Sequence, residues 1–319
     1  KDNWALHHSL LSPYLNNGLL HASEVVAAAV SAYRQGKVPI GSVEAFVRQI
    51  IGWREYINGM YWYLGEDYKN LNGLGAHRKL LPLYSDSSKT KMNCVKSVVA
   101  DVEARSWTHH IPRLMVLSNL ALTTGVNPQE FLNWMREQFI DASDWVMVPN
   151  VIGMAVHADG GQLMTKPYAS GGAYLNRMTQ HCKGCAYDPK KRVGDDACPF
   201  TTLYWDFLDR HKDEFVKNHR MSQQVNGLKR LTDLPELKAR AQQVLAGLDE
   251  GTLRDEADDF CAGDAHAAVP GAAAHLLEGR VQGREGLTPF AWWSARFGLW
   301  PWLLLVLLVL LLLLLWPLL

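Results

Sequence analysis

The chain has 319 residues, 48% of them apolar and 20% charged, with a formal net charge of zero. That composition excludes a disordered or low-complexity protein and gives enough chain for one large or two ordinary domains. The first 254 residues are mildly basic and the remainder acidic, a balance that permits nucleic-acid binding by the body without announcing it. The sequence opens on Lys1, with no Met and no secretory signal. The expectation is a cytoplasmic protein that has lost an N-terminal portion.

Taken in order, the body reads as helix after helix. Ser23 can cap a run over 23–34, with Gly36 just past its end. Ser42 opens a second run over 43–57, in which Phe46, Val47, Ile50, Ile51 and Tyr56 follow helical spacing. A third covers 92–104. Asn127, Pro128 and Glu130 supply a cap, a first-turn proline and a carboxylate three residues on. The helix that follows places Phe131, Trp134, Met135 and Phe139 on one side. Runs over 201–216 and 234–248 complete the set. No alternating β run and no glycine-rich phosphate loop is present, so the fold class is all-α. Residues 148–172 and 187–199 are rich in Pro, Gly and Asn or Asp and read as long loops, which in a compact domain tend to be functional.

Beyond the helical body of 1–254 the character changes. Residues 255–296 are rich in Ala, Gly and Asp and read as an irregular linker-like tail. Residues 297–319 are apolar and mostly Leu, long enough for a marginal membrane span, with Trp300, Trp302 and Trp316 as interfacial anchors. The competing expectation is an end foreign to the domain, because nothing in it matches what precedes it.

Five cysteines without a secretory context point to metal ligands or thiols rather than a disulfide frame. Cys182 and Cys185 form a Cys-x-x-Cys pair, Cys198 follows thirteen residues later before Pro199, and Cys94 lies on a predicted helix far upstream. Four thiolates can close the shell of a structural zinc or of an iron–sulfur cluster, and spacing alone does not separate the two. A redox dithiol is disfavoured because no strand precedes Cys182.

Three blocks carry a resemblance. Residues 9–15, Ser-Leu-Leu-Ser-Pro-Tyr-Leu, followed by Asn17-Gly18, are similar to the segment by which photolyases hold a flavin diphosphate. Residues 48–56, with Trp53-Arg54-Glu55, look like the photolyase Trp-Arg-Glu helix. Residues 145–154, then Ala158-Asp159-Gly160-Gly161 and Thr165-Lys166-Pro167-Tyr168, resemble the flavin-ring segment of one branch. That branch is the iron–sulfur bacterial cryptochromes and photolyases, also called deoxyribodipyrimidine photolyase-related proteins. The resemblance spans about residues 4–248.

The resemblance implies a helical FAD-binding domain, a 4Fe-4S cluster on Cys94, Cys182, Cys185 and Cys198, and light-driven repair of pyrimidine (6-4) photoproducts in DNA. It implies flavin contacts from Ser9, Leu10, Leu11, Ser12, Gln49, Trp53, Arg54, Asp141, Met147 and Asn150. The family's asparagine near flavin N5 falls at Met147 here, with Asn150 close by. His110, with His109 beside it, matches the active-site histidine that supplies a proton. Trp134 would relay electrons, or simply fill the core. Tyr168 and Tyr174 would line the lesion pocket or join the relay. Lys166, Arg177, Lys190, Lys191 and Arg192 are candidate phosphate contacts. The expected partner is UV-damaged DNA, with no obligate protein partner and a monomeric state. An antenna chromophore of the lumazine type is not expected, because nothing here matches the family's N-terminal antenna domain. Two alternatives share these residues: a non-enzymatic cryptochrome photoreceptor, and a helical iron–sulfur nucleic-acid module without flavin, similar to the primase large-subunit domain.

Overall fold

In the computed structural model the described residues are 4–253. The linker-like and Leu-rich segments fall outside them, and so does any test of the membrane-span reading. Among the described residues no helix is long and apolar enough to cross a membrane. Nor is there a strand: β-structure is limited to two isolated bridges, Arg78 with Val126 and Asp188 with Ala197.

The N-terminal helices are α1 (Ser12–Asn16), α2 (Ala22–Arg34), α3 (Ile40–Arg48) and α4 (Tyr56–Leu64). His21, not Ser23, caps α2: its ring accepts from the Ser23 amide while Glu24 reaches back to the His21 amide. This is a capping box with a histidine in the cap position. The single predicted run over 43–57 is longer than expected. A π-helical turn, Gln49–Glu55, joins α3 to α4, and Gly65 ends the helix at φ 80°.

The core is built on α5 (Asn93–Arg105), which buries Val95, Val98, Val99 and Val102 at helical spacing. Next come α6 (His110–Pro112), a π turn Arg113–Ser118 and α7 (Asn119–Thr124) in unbroken succession. The start signal before α8 (Pro128–Gln138) is realised by Asn127, whose side chain accepts from the amides of Gln129 and Glu130. Glu130 does not close a box; it accepts from the Leu80 amide instead. Then α9 (Asp144–Val148) runs into a third π turn, Pro149–Ala155. The expected loop at 148–172 therefore begins only after Ala155. The Pro and Gly that suggested a loop there are accommodated within the helical backbone, where Pro149 opens the π turn.

The C-terminal part holds α10 (Gly172–Met178), α11 (Pro199–Arg210), α12 (Lys212–Phe215), α13 (Ser222–Gly227) and α14 (Leu234–Glu250). The main apolar cluster joins α5, α7, α8, α9 and the π turns. A smaller one, with Phe207, Phe215 and Met221, lies under α11 to α13. π turns inside helices are uncommon and concentrate at functional sites. Here three of them carry Gln49, Trp53, Arg54, Arg113 and Asn150.

Candidate functional site

The polar centre of the domain is Asp141, only 4% exposed. An isolated buried carboxylate costs several kcal/mol unless it is paired and hydrogen-bonded, and here both conditions are met. Arg113 on the second π turn grips it bidentately, Nη1 and Nη2 each 2.9 Å from a carboxylate oxygen. The Ser12 hydroxyl donates to Oδ2 at 2.6 Å, and Asn16 Nδ2 donates to the Asp141 carbonyl at 2.8 Å. Trp107 Nε1 donates to Ser12 Oγ at 3.3 Å. Arg113 also donates to the Thr108 carbonyl and lies 4.2 Å above the Phe139 ring. The proton of Ser12 is thus spent on Asp141, so its hydroxyl remains an acceptor only toward any further partner. Ser9 and Leu10 are exposed, Leu11 half-buried and Gln49 exposed.

A second arm comes from the first and third π turns. Arg54 pairs with Glu55, donates to the Leu15 carbonyl at 2.8 Å and stacks 4.7 Å from the Trp145 ring. Its Nε is buried without a partner, and so is Asn150 Oδ1. Asn150 Nδ2 donates to the Val146 carbonyl at 2.9 Å, which fixes the side chain and leaves the oxygen idle. Met147 is packed into the core. Trp53 is half-buried against that core.

Three histidines border the Arg113 side. The rings of His8 and His109 stack at 4.4 Å, 13° from parallel. His109 caps α6 by accepting from the Ile111 amide. Desolvation, then His8, His110 and Arg113, push its pKa down to about 4. His110 is exposed, yet desolvation, Arg113 and His8 lower its pKa too.

Trp134 is buried, donates from Nε1 to the Tyr84 carbonyl at 3.0 Å, and touches Tyr84, Phe131 and Phe139. It is a core residue, and through Phe139 its ring contacts continue to Arg113. Tyr168 and Tyr174 are half-buried against the same core, with Arg177 over the Tyr174 ring.

The cysteines are brought together as well. Cys94 opens α5, Cys198 stands at the N-cap of α11, and both are buried; Cys182 and Cys185 occupy a half-buried turn. None is in a disulfide. Asn93 Nδ2 donates to the His181 carbonyl at 2.8 Å and ties α5 to that turn. Gly172 is required at its position, since a Cβ there would lie 2.7 Å from Cys198 Sγ. Burial raises the Cys94 thiol well above its usual range, with the other three cysteines adding to the effect. Cys198 is pushed up to about 11 by burial, opposed by the α11 amides of Thr201 and Phe200. Among the described residues no three or more His, Cys, Asp or Glu side chains converge as they would around a single metal ion.

The basic triplet is mostly consumed by the fold. Lys191 pairs with Asp196 and Arg192 with Asp233, while Lys190 stays exposed. Lys166 is half-buried and Arg177 exposed. Sequence reasoning missed Arg113, Trp107, Asn16 and His8. The signal for Arg113 was indirect: an aspartate assigned to a buried site demands a cation, and the partner is 28 residues upstream.

The chain is 47% identical over 251 residues to a (6-4) photolyase of Agrobacterium fabrum, a match covering 78% of this chain and 49% of that protein. It therefore spans about half the length of that relative. Two uncharacterized proteins of Acanthamoeba polyphaga mimivirus match shorter stretches, at 31% identity over 101 residues and 34% over 67. The first match covers 32% of this chain and 75% of the viral protein, the second 21% and 51%. No family model matches the chain.

Proposed function

The chain belongs to the bacterial (6-4) photolyase and cryptochrome family, and on that premise we propose that its helical domain carries out light-driven repair of (6-4) pyrimidine photoproducts in DNA. The observation that carries the reading is the identity to a (6-4) photolyase across the whole helical body. The geometry adds support from residues that the comparison does not name.

The cofactors would be FAD and a 4Fe-4S cluster, and the residues present fit both. Arg54 Nε and Asn150 Oδ1 are a buried donor and a buried acceptor with no partner in the protein. Groups of that kind are rare unless something else satisfies them. The flavin ring offers both an N–H and carbonyl oxygens. Ser9, Leu10, Leu11, Ser12, Gln49, Trp53 and Asp141 are the further residues assigned to hold it. Asn150 is favoured over Met147 as the flavin-facing residue, because Met147 is committed to core packing. For the cluster, four neighbouring unoxidised thiols provide the donor set. Burial raises the Cys94, Cys182 and Cys198 thiols, so ligation by these three releases protons. A lone zinc holds four sulfurs about 2.3 Å from one point, whereas in a multi-iron cluster each sulfur meets a different iron; the family, not the thiol geometry, favours the cluster.

When bound, FAD in its reduced state supplies the light-driven electron that opens the lesion. The protein's part is positional and protonic. Arg113 and Asp141 lock Ser12, Asn16, Thr108 and Phe139 into one rigid unit, so the site is preorganised before substrate arrives. His110 lies near Arg113 and His8 and provides the proton that the rearrangement needs. Desolvation, then Arg113 and His8, hold its ring toward the neutral form, so protonation is favoured on the acid side of neutrality, or by a DNA phosphate placed beside it. Tyr168 and Tyr174 line the lesion side. Trp134 reaches the site through Phe139 and serves as the electron relay. The lesion nucleotides must leave the stack to enter.

The test is direct. Anaerobically purified protein with reduced flavin, illuminated with an oligonucleotide containing a (6-4) lesion, restores paired thymines. Retained flavin photoreduction without any restoration overturns the repair reading in favour of a photoreceptor. Absence of flavin absorbance overturns both.

A further inference from the structure

The segment that follows α11 holds positive charge that the fold does not consume. Lys217, Lys229 and Arg230 are exposed and have no carboxylate partner among the described residues. The contrast with the paired Lys191 and Arg192 is sharp. This segment is also anchored beside a candidate DNA-contact loop. Arg220 Nη1 donates to Thr165 Oγ1 at 3.2 Å and Asn218 Nδ2 to the Thr165 carbonyl at 2.6 Å, next to Lys166.

Within it, α11 and α13 border a groove of about 420 Å³ lined by Tyr204, Trp205, Gln223, Gln224, Gly227 and Arg230. Gly227 lies against the indole: a Cβ there would stand at ordinary contact distance, 3.5 Å from Trp205 Cη2. The Tyr204 and Trp205 rings meet edge to face at 5.3 Å, an arrangement that does not cover the indole by stacking. Both rings are only half-buried. The Gln224 amide nitrogen donates to the carbonyls of Arg220 and Met221, which leaves its oxygen as an acceptor. Gln223 is exposed.

An aromatic face, two amides and an unpaired arginine, with Lys229 next to it in sequence, is a recognisable combination. Bases stack on tryptophan whatever their sequence, amides bond to base edges, and cations take the phosphate. A groove meant for an apolar partner would not carry an unpaired arginine in its lining. A base within duplex DNA offers no free face, so the fitting occupant is an unstacked nucleotide of single-stranded DNA.

We propose that this groove is a second nucleic-acid contact, distinct from the flavin side, that holds one unstacked nucleotide with its base on Trp205, its edge on the two glutamines and its phosphate on Arg230 and Lys229. The proposal rests on the reading that the protein handles DNA. A strand opened around a flipped lesion supplies such nucleotides.

The experiment uses the full chain with its cofactors and a fluorescein-labelled, undamaged oligothymidylate, followed by anisotropy. Trp205→Leu weakens binding about tenfold or more, in keeping with the loss of one stacked base; Trp205→Phe stays within about threefold. Arg230→Gln weakens binding and lowers the slope of log affinity against log salt by roughly one phosphate contact. Arg230 is exposed, so its variant reports even if Trp205→Leu misfolds, which circular dichroism and flavin content reveal. Single-strand affinity unchanged in both Trp205→Leu and Arg230→Gln, in protein that still repairs a lesion-bearing duplex, overturns the groove and leaves the repair reading intact. A wild-type chain that binds neither oligonucleotide nor lesion duplex overturns both.

Discussion

Two buried polar centres lie in the same helical body, and they are balanced in opposite ways. Around Asp141 the charge is neutralised inside the protein: Arg113, Ser12 and Asn16 together occupy its carboxylate and carbonyl. Around the cysteines nothing in the protein neutralises a thiolate, and burial raises the thiols instead. The Val95 amide pulls the other way on Cys94, and the α11 amides of Thr201 and Phe200 do so on Cys198, without overcoming burial. The first centre is therefore part of what holds the domain together. The second is a set of thiols whose charged state would need a cation from outside.

Asp141→Ala should give the largest effect, because it leaves Arg113 buried and uncompensated. The expected loss is roughly 3–5 kcal/mol of unfolding free energy, read by urea denaturation, with Asp141→Asn in between. Cys94→Ser, measured in chelator-treated protein, should cost less than that, because no protein charge depends on the thiol, yet it should abolish iron binding. A Cys94→Ser loss equal to that of Asp141→Ala would erase the distinction between the two centres.

The histidines beside Arg113 sharpen the comparison through pH. The folded pKa of His109 is about 4, below the ordinary histidine value of 6.5. The unfolded chain thus binds more protons between those values. The stabilisation is complete above about pH 6.5 and is lost as pH falls through 4, by roughly 2–3 kcal/mol at most. His109→Gln should flatten that slope in a pH series of melts. A residual slope should remain, since desolvation also lowers His211 to about 4.

Asn150→Ala should weaken flavin binding about tenfold, the worth of one buried hydrogen bond, while Met147→Leu should leave it nearly unchanged. Flavin release followed by fluorescence separates the two. The smallest effect is expected at Lys191→Gln. It breaks an exposed, solvent-screened ion pair with Asp196, and leaves stability and DNA affinity nearly unaltered. A large loss of DNA binding there would restore the triplet as the principal contact.

How much of this was readable beforehand follows from the kind of interaction. Helix starts at 93 and 128 and the packed faces of α5 and α8 follow from local signals, cap chemistry and a 3.6-residue period. The cysteine set was readable because a Cys-x-x-Cys pair is itself a local pattern. The π turns were not, since an inserted residue in a helix leaves no periodic trace. The loop expected from residue 148 was accordingly placed too early.

The residues that only the fold selected share one property: their partners are distant in sequence. Ser12 and Asp141 are 129 residues apart, and Asn93 meets the His181 carbonyl 88 residues on. The basic triplet and the 217–230 segment look alike as strings of lysine and arginine. Only folding decides which cations find Asp196 and Asp233 and which remain free. Composition and spacing determined an all-α body with a four-cysteine site, because helix formation and metal-ligand patterns are short-range. Tertiary structure decided which charges are neutralised and which stay available, because a Coulomb partner is chosen by distance in space and not along the chain.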